Sequence, residues 1–177
     1  MPGTITAGGA RSGMGSITYL AGEMLKSKAE IDIVHVPYKT MSQLQGDVMG
    51  GSIQLAFTSI PATIGLIRGD RLKALGVTSA KRSASLPEVR TIAESGVAGY
   101  DVSNWYGVLA PAGVPQTILN KLHAQIVSSM QTAEGVDAIT KQGAEPAVNT
   151  PEQFRAYLAA EVLKWAQFAK ATGIQPE

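Results

Sequence analysis

Between positions 8 and 16 the chain reads Gly8-Gly9-Ala10-Arg11-Ser12-Gly13-Met14-Gly15-Ser16, with glycines and hydroxyls gathered ahead of a helical pattern. Three chemistries use such turns, and each can be tested by spacing. A dinucleotide fold needs G-x-G-x-x-G, whose third glycine lets helix and strand pack closely; Gly13-Met14-Gly15-Ser16-Ile17-Thr18 ends in threonine and fails there. A phosphate loop needs Gly-Lys-Ser/Thr, and none follows. A nucleophile elbow needs G-x-S-x-G, but Ser12 is flanked by Ala10 and Met14. What survives is a helix start: the first backbone N–H groups of a helix lack internal partners, and with the helix dipole they attract a carboxylate or similar anion. An ordinary strand-to-helix turn capped by Ser16 explains the same residues equally well, so both readings stand at this point.

The other chemistry-bearing residues are dispersed. His35 falls in a strand pattern and His123 on an amphipathic helix, too far apart in sequence to suggest a metal site, and both read as structural. Glu23 and Asp47 read as solvated or locally bonded helix residues, and Trp105 and Tyr106 as packing aromatics rather than a ligand wall. Without cysteine there is no thiol nucleophile, Cys-based zinc site or disulfide. No cofactor is expected.

The elements that must position these residues alternate in period. Residues 4–9 read as a strand, and a helix from about Ser16 carries Ile17, Leu20, Ala21, Met24 and Leu25 on one face. Residues 31–36 form a β-branched strand ended by Pro37; residues 41–49 a helix closed by Gly50-Gly51; residues 53–57 a strand. Pro61 opens a helix ending at Gly69, residues 73–78 read as a further strand, and residues 91–95 as a short helix closed by Gly96. Such alternation predicts an α/β fold with a mainly parallel sheet, whose ligands bind at strand carboxyl ends where strand order reverses. Residues 101–109 read as a longer strand, residues 110–115 as a linker-like turn. Three helical segments follow: one with Leu119, Leu122, Ile126 and Met130 on a face, one over residues 135–141, and one opened by Thr150, Pro151 and Gln153 as a capping box.

The chain has 177 residues, 45% hydrophobic and 16% charged, which predicts a packed core rather than disorder. Fifteen basic against fourteen acidic residues, without a basic cluster, argue against a nucleic-acid or anionic-membrane partner. Met1-Pro2-Gly3-Thr4 has no signal-peptide pattern.

Several blocks, in order, closely resemble the substrate-binding proteins of tripartite tricarboxylate transporters, the Bug family. They are His35-Val36-Pro37-Tyr38-Lys39, Asp47-Val48-Met49-Gly50-Gly51-Ser52-Ile53-Gln54, residues 73–83, Leu86-Pro87-Glu88-Val89 and Ala93-Glu94-Ser95-Gly96. Trp105-Tyr106-Gly107-Val108-Leu109-Ala110-Pro111-Ala112-Gly113-Val114-Pro115, Gly143-Ala144-Glu145-Pro146 and Thr150-Pro151-Glu152-Gln153-Phe154 continue the match. The resemblance implies a periplasmic-binding-protein-like fold of type II: two α/β lobes closing on a small organic acid in the periplasm, for delivery to a membrane permease, without catalysis. It implies a ligand loop at Ser12, Gly13, Met14, Gly15 and Ser16, with Thr58 and Ser59 beside it, and tips the open choice at this turn towards binding.

Departures from the family pattern are Ile17, Tyr19, Thr40 and Thr58, which bear on ligand choice. Against the family, a segment before Thr4 is expected to be missing. Residues 1–100 are then expected to be a complete second lobe, and residues 101–177 the crossover strand and C-terminal helices of an incomplete first lobe. Uncovered apolar stripes on those helices would favour homo-oligomers or strand exchange. Other readings are an effector-sensing domain, though no helix-turn-helix is seen; an enzyme on small acids, though no positioned base or nucleophile is seen; and a truncated paralogue that has lost its role.

Overall fold

The computed structural model describes residues 5–10 and 15–174, and they form two compact units. One comprises the residues up to Asn104 together with Ile174; the other is Trp105–Gly173.

The first unit is built on a three-stranded parallel sheet. Its strands are β1 (Ile5–Ala10), β2 (Ile33–Tyr38) and β3 (Leu55–Phe57), in the order β2-β1-β3. Helices α1 (Ile17–Ala29), α2 (Met41–Met49) and α3 (Ile60–Arg68) connect and follow them. Successive strand residues point to opposite faces, and the two central glycines show which helix covers which. A Cβ on Gly8 would run into Leu44 of α2 and lie 2.7 Å from Ile53; one on Gly9 would lie 2.9 Å from the Thr18 hydroxyl of α1. Thus α1 and α2 cover opposite faces, and the central strand has no side chains at these positions because none would fit. The glycines read as part of a turn are paired strand residues: Gly8 opposes Val36 and Ala56, and Gly9 opposes Pro37 and Phe57.

The buried hydrophobic residues, Ala7, Ala21, Met24, Ile33, Leu44, Ile53, Phe57, Val77, Leu86, Tyr100 and Val102, all belong to this unit. Tyr100 is 1% exposed, and its hydroxyl donates to the Ala21 carbonyl of α1 at 2.8 Å. That bond ties the irregular segment after α3 to the first helix. Burial pushes the phenol well above its ordinary pKa, keeping it a donor.

Four expectations about elements need correction. β2 runs through Pro37 to Tyr38 rather than ending before it; β2 is an edge strand, where a proline's missing N–H costs no ladder bond. Residues 73–78 make one bridge, Val77 to Thr91, rather than a strand. The partner segment turns immediately, because Thr91 and Glu94 cap one another through Thr91 N–H to Glu94 at 2.8 Å and Glu94 N–H to Thr91 Oγ1 at 2.9 Å. For the same reason residues 91–95 form a single turn, not a helix; Arg82 holds Glu94 from outside at 2.9 Å and lowers its pKa. Residues 101–109 carry no ladder: a strand exists only against a neighbour, and the described residues offer none.

In the second unit, α4 (Gln116–Gln131), α5 (Ala133–Lys141) and α6 (Pro151–Thr172) follow one another. The capping box of α6 forms as its sequence predicts, Thr150 accepting from Gln153 N–H and Gln153 from Thr150 N–H. Trp105 packs edge-on against Phe154 and Tyr157 at 5.8 and 5.5 Å between ring centroids, over Gly107, whose Cβ would strike the Phe154 ring. Trp105 is thus a packing residue, whereas Tyr106 is 90% exposed. No residue of α4, α5 or α6 is buried.

Two substitutions separate packing from propensity. Gly8→Ala overfills the sheet–α2 interface and is expected to lower stability by about 1–3 kcal/mol. Gly65→Ala, in α3 with nothing within 4 Å of an added Cβ, is expected to raise it by about 0.5–1 kcal/mol. Urea unfolding of both checks the pair, and equal effects would contradict this packing. Tyr100→Phe, which removes only the bond to Ala21, is expected to cost about 1 kcal/mol in the same measurement.

Candidate functional site

Strand order reverses at β1: the chain passes from β1 to β2 on one side and then across to β3 on the other. The carboxyl ends of β1 and β3 therefore define a switch point, where open parallel sheets bind ligands. The loop after β1 leads to Ser16 and α1; β3 leads directly to Thr58, Ser59 and α3. Of the residues expected to bind, Gly15, Ser16, Thr58 and Ser59 flank these two junctions, while Ser12, Gly13 and Met14 lie outside the described residues.

Each described residue has a definite local role. Ser16 is the N-cap of α1: extended at φ −73°, ψ 145°, it accepts from Tyr19 N–H at 3.3 Å, and its hydroxyl lies 3.3 Å from that of Thr18. Gly15 is exposed, with nothing within 4 Å of an added Cβ. Thr58 donates its hydroxyl to the Met41 sulfur at 3.5 Å, a weak acceptor at the start of α2. Ser59 is the N-cap of α3 but makes no side-chain capping bond, unlike Ser16, Thr40, Thr132 and Thr150. Its carbonyl is occupied by Ala62 N–H and the Thr63 hydroxyl, both at 3.1 Å.

The electrostatics of these helix starts favour an anion. None of α1, α2, α3 or α4 has an acidic residue in its first turn, whereas α5 carries Glu134 and α6 carries Glu152 there. Acids at the latter positions neutralise the positive end of the helix dipole. At the sheet's carboxyl edge that end is left for something else to neutralise.

The unusual residues Tyr19 and Thr40 are both engaged locally. Thr40 caps α2 by accepting from Gln43 N–H at 3.3 Å. The Tyr19 ring meets His35 edge-on at 4.9 Å, and burial, with Glu23 second, raises its pKa. Burial pushes the His35 imidazole below its ordinary value against the opposing pull of Glu23. His123 bonds to the Asn149 carbonyl at 2.9 Å. Among the described residues, no group of three or more His, Cys, Asp or Glu side chains is placed to hold a metal ion.

Asp47, expected to be solvated or locally bonded, is part-buried and takes Tyr38 as its partner: the Tyr38 hydroxyl donates to it at 2.7 Å, a bond that raises the Tyr38 pKa, and sequence reasoning did not name that partner. The pair edges a shallow groove lined by Pro37, Tyr38, Lys39, Gln43, Gly46 and Asp47. Nine residues from a strand end to the last turn of the next helix is the spacing that carried this signal. The groove contains none of Ser16, Thr58 and Ser59, so it and the helix starts at the β1 and β3 ends are different places.

Comparison with known proteins gives these features a family. BugT of Bordetella pertussis is 33% identical over 93% of this chain and 50% of its own length. A structure of Rpa4515 from R. palustris with adipate superimposes with a TM-score of 0.83 at 32% identity, covering 98% of this chain and 57% of that one. The periplasmic binding protein BugD superimposes with a TM-score of 0.76 at 27% identity, covering 98% and 58%. The chain spans about half the length of most of the curated relatives it matches. A family described as the tripartite tricarboxylate transporter family receptor matches residues 1–174. With the parallel sheet and its strand-end helix starts, this match establishes that the chain belongs to the tripartite tricarboxylate transporter receptor family.

Proposed function

We propose that this chain supplies the carboxylate-binding half of a periplasmic receptor, which captures a small organic acid and hands it to a membrane permease. The observation that carries the reading is the pair of helix starts at the β1 and β3 switch point, both without first-turn acids. Backbone N–H groups and the hydroxyls of Ser16 and Ser59 are donors suited to a carboxylate, and the helix dipoles add favourable charge. Ser12, Gly13, Met14 and Gly15 complete the loop by family resemblance, with Thr58 shaping the side nearest α2. The adipate-bound relative supports a carboxylate as ligand class. Binding and release, not turnover, are the chemistry: lobe closure is driven by tighter binding to the closed form.

The helices of the second unit lack buried residues, and Val108, Leu109, Val162 and Leu163 are exposed. We propose that this surface is covered by protein, and that the purified chain covers it by self-association.

Two measurements test these readings. Calorimetric titration with a panel of mono-, di- and tricarboxylates is expected to show saturable binding. Ser59→Ala, which removes no cap, should weaken binding about tenfold or more with the melting temperature unchanged. Ser16→Ala should weaken binding and also cost about 1 kcal/mol of stability. A folded chain that binds no acid refutes the reading. Light scattering after size exclusion is expected to give a mass above that of one chain, growing with concentration; a monomer throughout refutes self-association.

A further inference from the structure

The β3–α3 junction is held from outside by one face of α2. Met41 and Gln45 stand at i and i+4 on that helix, so they share a face. Met41 Sδ accepts the Thr58 hydroxyl at 3.5 Å, and the Gln45 side-chain amide donates to the Ala62 carbonyl at 2.8 Å. Thr58 precedes Ser59 and Ala62 follows it in the first turn of α3. Thus α2 grips the chain on both sides of the serine. The gripping helix is itself fixed. Leu44, 1% exposed, fills the space that a Cβ on Gly8 would need, and Asp47 accepts the Tyr38 hydroxyl at 2.7 Å.

The same junction explains why Ser59 makes no side-chain cap. An N-cap side chain accepts from the N–H of the second or third helical residue. In α3 the second is Pro61, which has no N–H, and the third is Ala62, whose N–H goes to the Ser59 carbonyl at 3.1 Å. Neither donor is left for the hydroxyl, so Ser59 Oγ has no bond to its own helix. The first turn therefore lacks the tie that Ser16 supplies in α1 and Thr40 in α2. Gln45 supplies a tie in its place. A carbonyl only accepts, so the NH2 end of the amide is the one turned to Ala62, and the carbonyl has two lone pairs to share between Gln45 and its own helix.

We infer that Gln45 is a positioning residue for Ser59: it holds the first turn of α3 in place of the unmade cap, and so leaves the Ser59 hydroxyl free to meet a ligand. The inference rests on the reading of Ser59 as a carboxylate donor. A donor serves an anion best when its place is fixed beforehand, because binding then does not bear the entropy of ordering the turn. A side-chain cap would fix the turn by drawing the serine oxygen in towards its own helix. Gln45 fixes the same turn from α2 and leaves that oxygen out of the bonding. Its effect on affinity must pass through Ser59, which separates positioning from general support of the fold.

The test is a double-mutant cycle. Acetate, adipate and citrate are titrated calorimetrically into the intact chain, Gln45→Met, Ser59→Ala and the double variant. Methionine keeps the length of the side chain and its helix propensity but donates no hydrogen bond. Gln45→Met is expected to weaken binding about fivefold in the intact background and by less than about twofold in the Ser59→Ala background. Undiminished binding in Gln45→Met, or an equal loss in both backgrounds, overturns the inference. An intact chain that binds none of the three acids is a different failure: it removes Ser59 as a carboxylate donor, and the inference falls with that reading. Nuclear magnetic resonance of the unliganded chain reads the tie without any acid. In Gln45→Met the amide order parameters of Ser59, Ile60 and Ala62 should fall from the rigid level of about 0.85 towards the flexible level below about 0.6, while that of Leu20 in α1 keeps its value. If all three stay rigid, the inference is overturned whatever the acids do.

Discussion

Close approach of two helices to one strand is the constraint on which the rest of this structure depends. β1 is the middle strand, so both of its faces must accept a covering helix, and at Gly8 and Gly9 the backbone itself is the packing surface. Leu44 and Ile53 close on one side and Thr18 with His35 on the other. Interiors pack near crystal density and tolerate little added volume, so these positions control how near α1 and α2 come to the sheet. The candidate site inherits that closeness, because the first turn of α1 is drawn down onto the carboxyl end of β1.

What the strand ends then present is mostly backbone. Ser16 spends a lone pair on its own helix, Thr58 spends its proton on a sulfur, and the N-cap Ser59 leaves its side-chain cap unmade. The arrangement does little to distinguish one acid from another. Under the proposed reading it would give generic recognition of a carboxylate, with discrimination supplied by the groups around it. Two of the four residues expected to depart from the family pattern, Tyr19 and Thr40, lie one layer back: one meets the His35 ring edge-on and the other caps α2.

Legibility from sequence followed the range of the interaction involved. The capping box at Thr150 and Gln153 needs only four consecutive residues, and it formed as read. The helix periods of α1, α2 and α3 and the parallel character of the sheet were legible for the same local reasons. Residues 73–78 and 101–109 have strand-like composition, but a strand is a relation between two segments, and composition cannot report whether the second is there. Pro37 misled because its effect depends on edge position, a property of topology. At the site, Ser16 was legible as a cap, whereas the unused cap of Ser59 and the buried Nε2 of His35 are three-dimensional facts without a sequence signature.

The helices of the second unit hold their shape by caps, i,i+4 pairing such as Asp137 with Lys141, and the Trp105 cluster, without burying a single helical residue. This has a calorimetric meaning. The heat-capacity increment of unfolding comes mainly from apolar surface newly exposed to water, and in this chain that surface is concentrated in the first unit. Melting of α4, α5 and α6, whose apolar residues are at most part-buried, would therefore contribute a smaller increment than the first unit. Any partner that covers those helices would restore the missing contribution, and its arrival would register as a negative heat-capacity change of association.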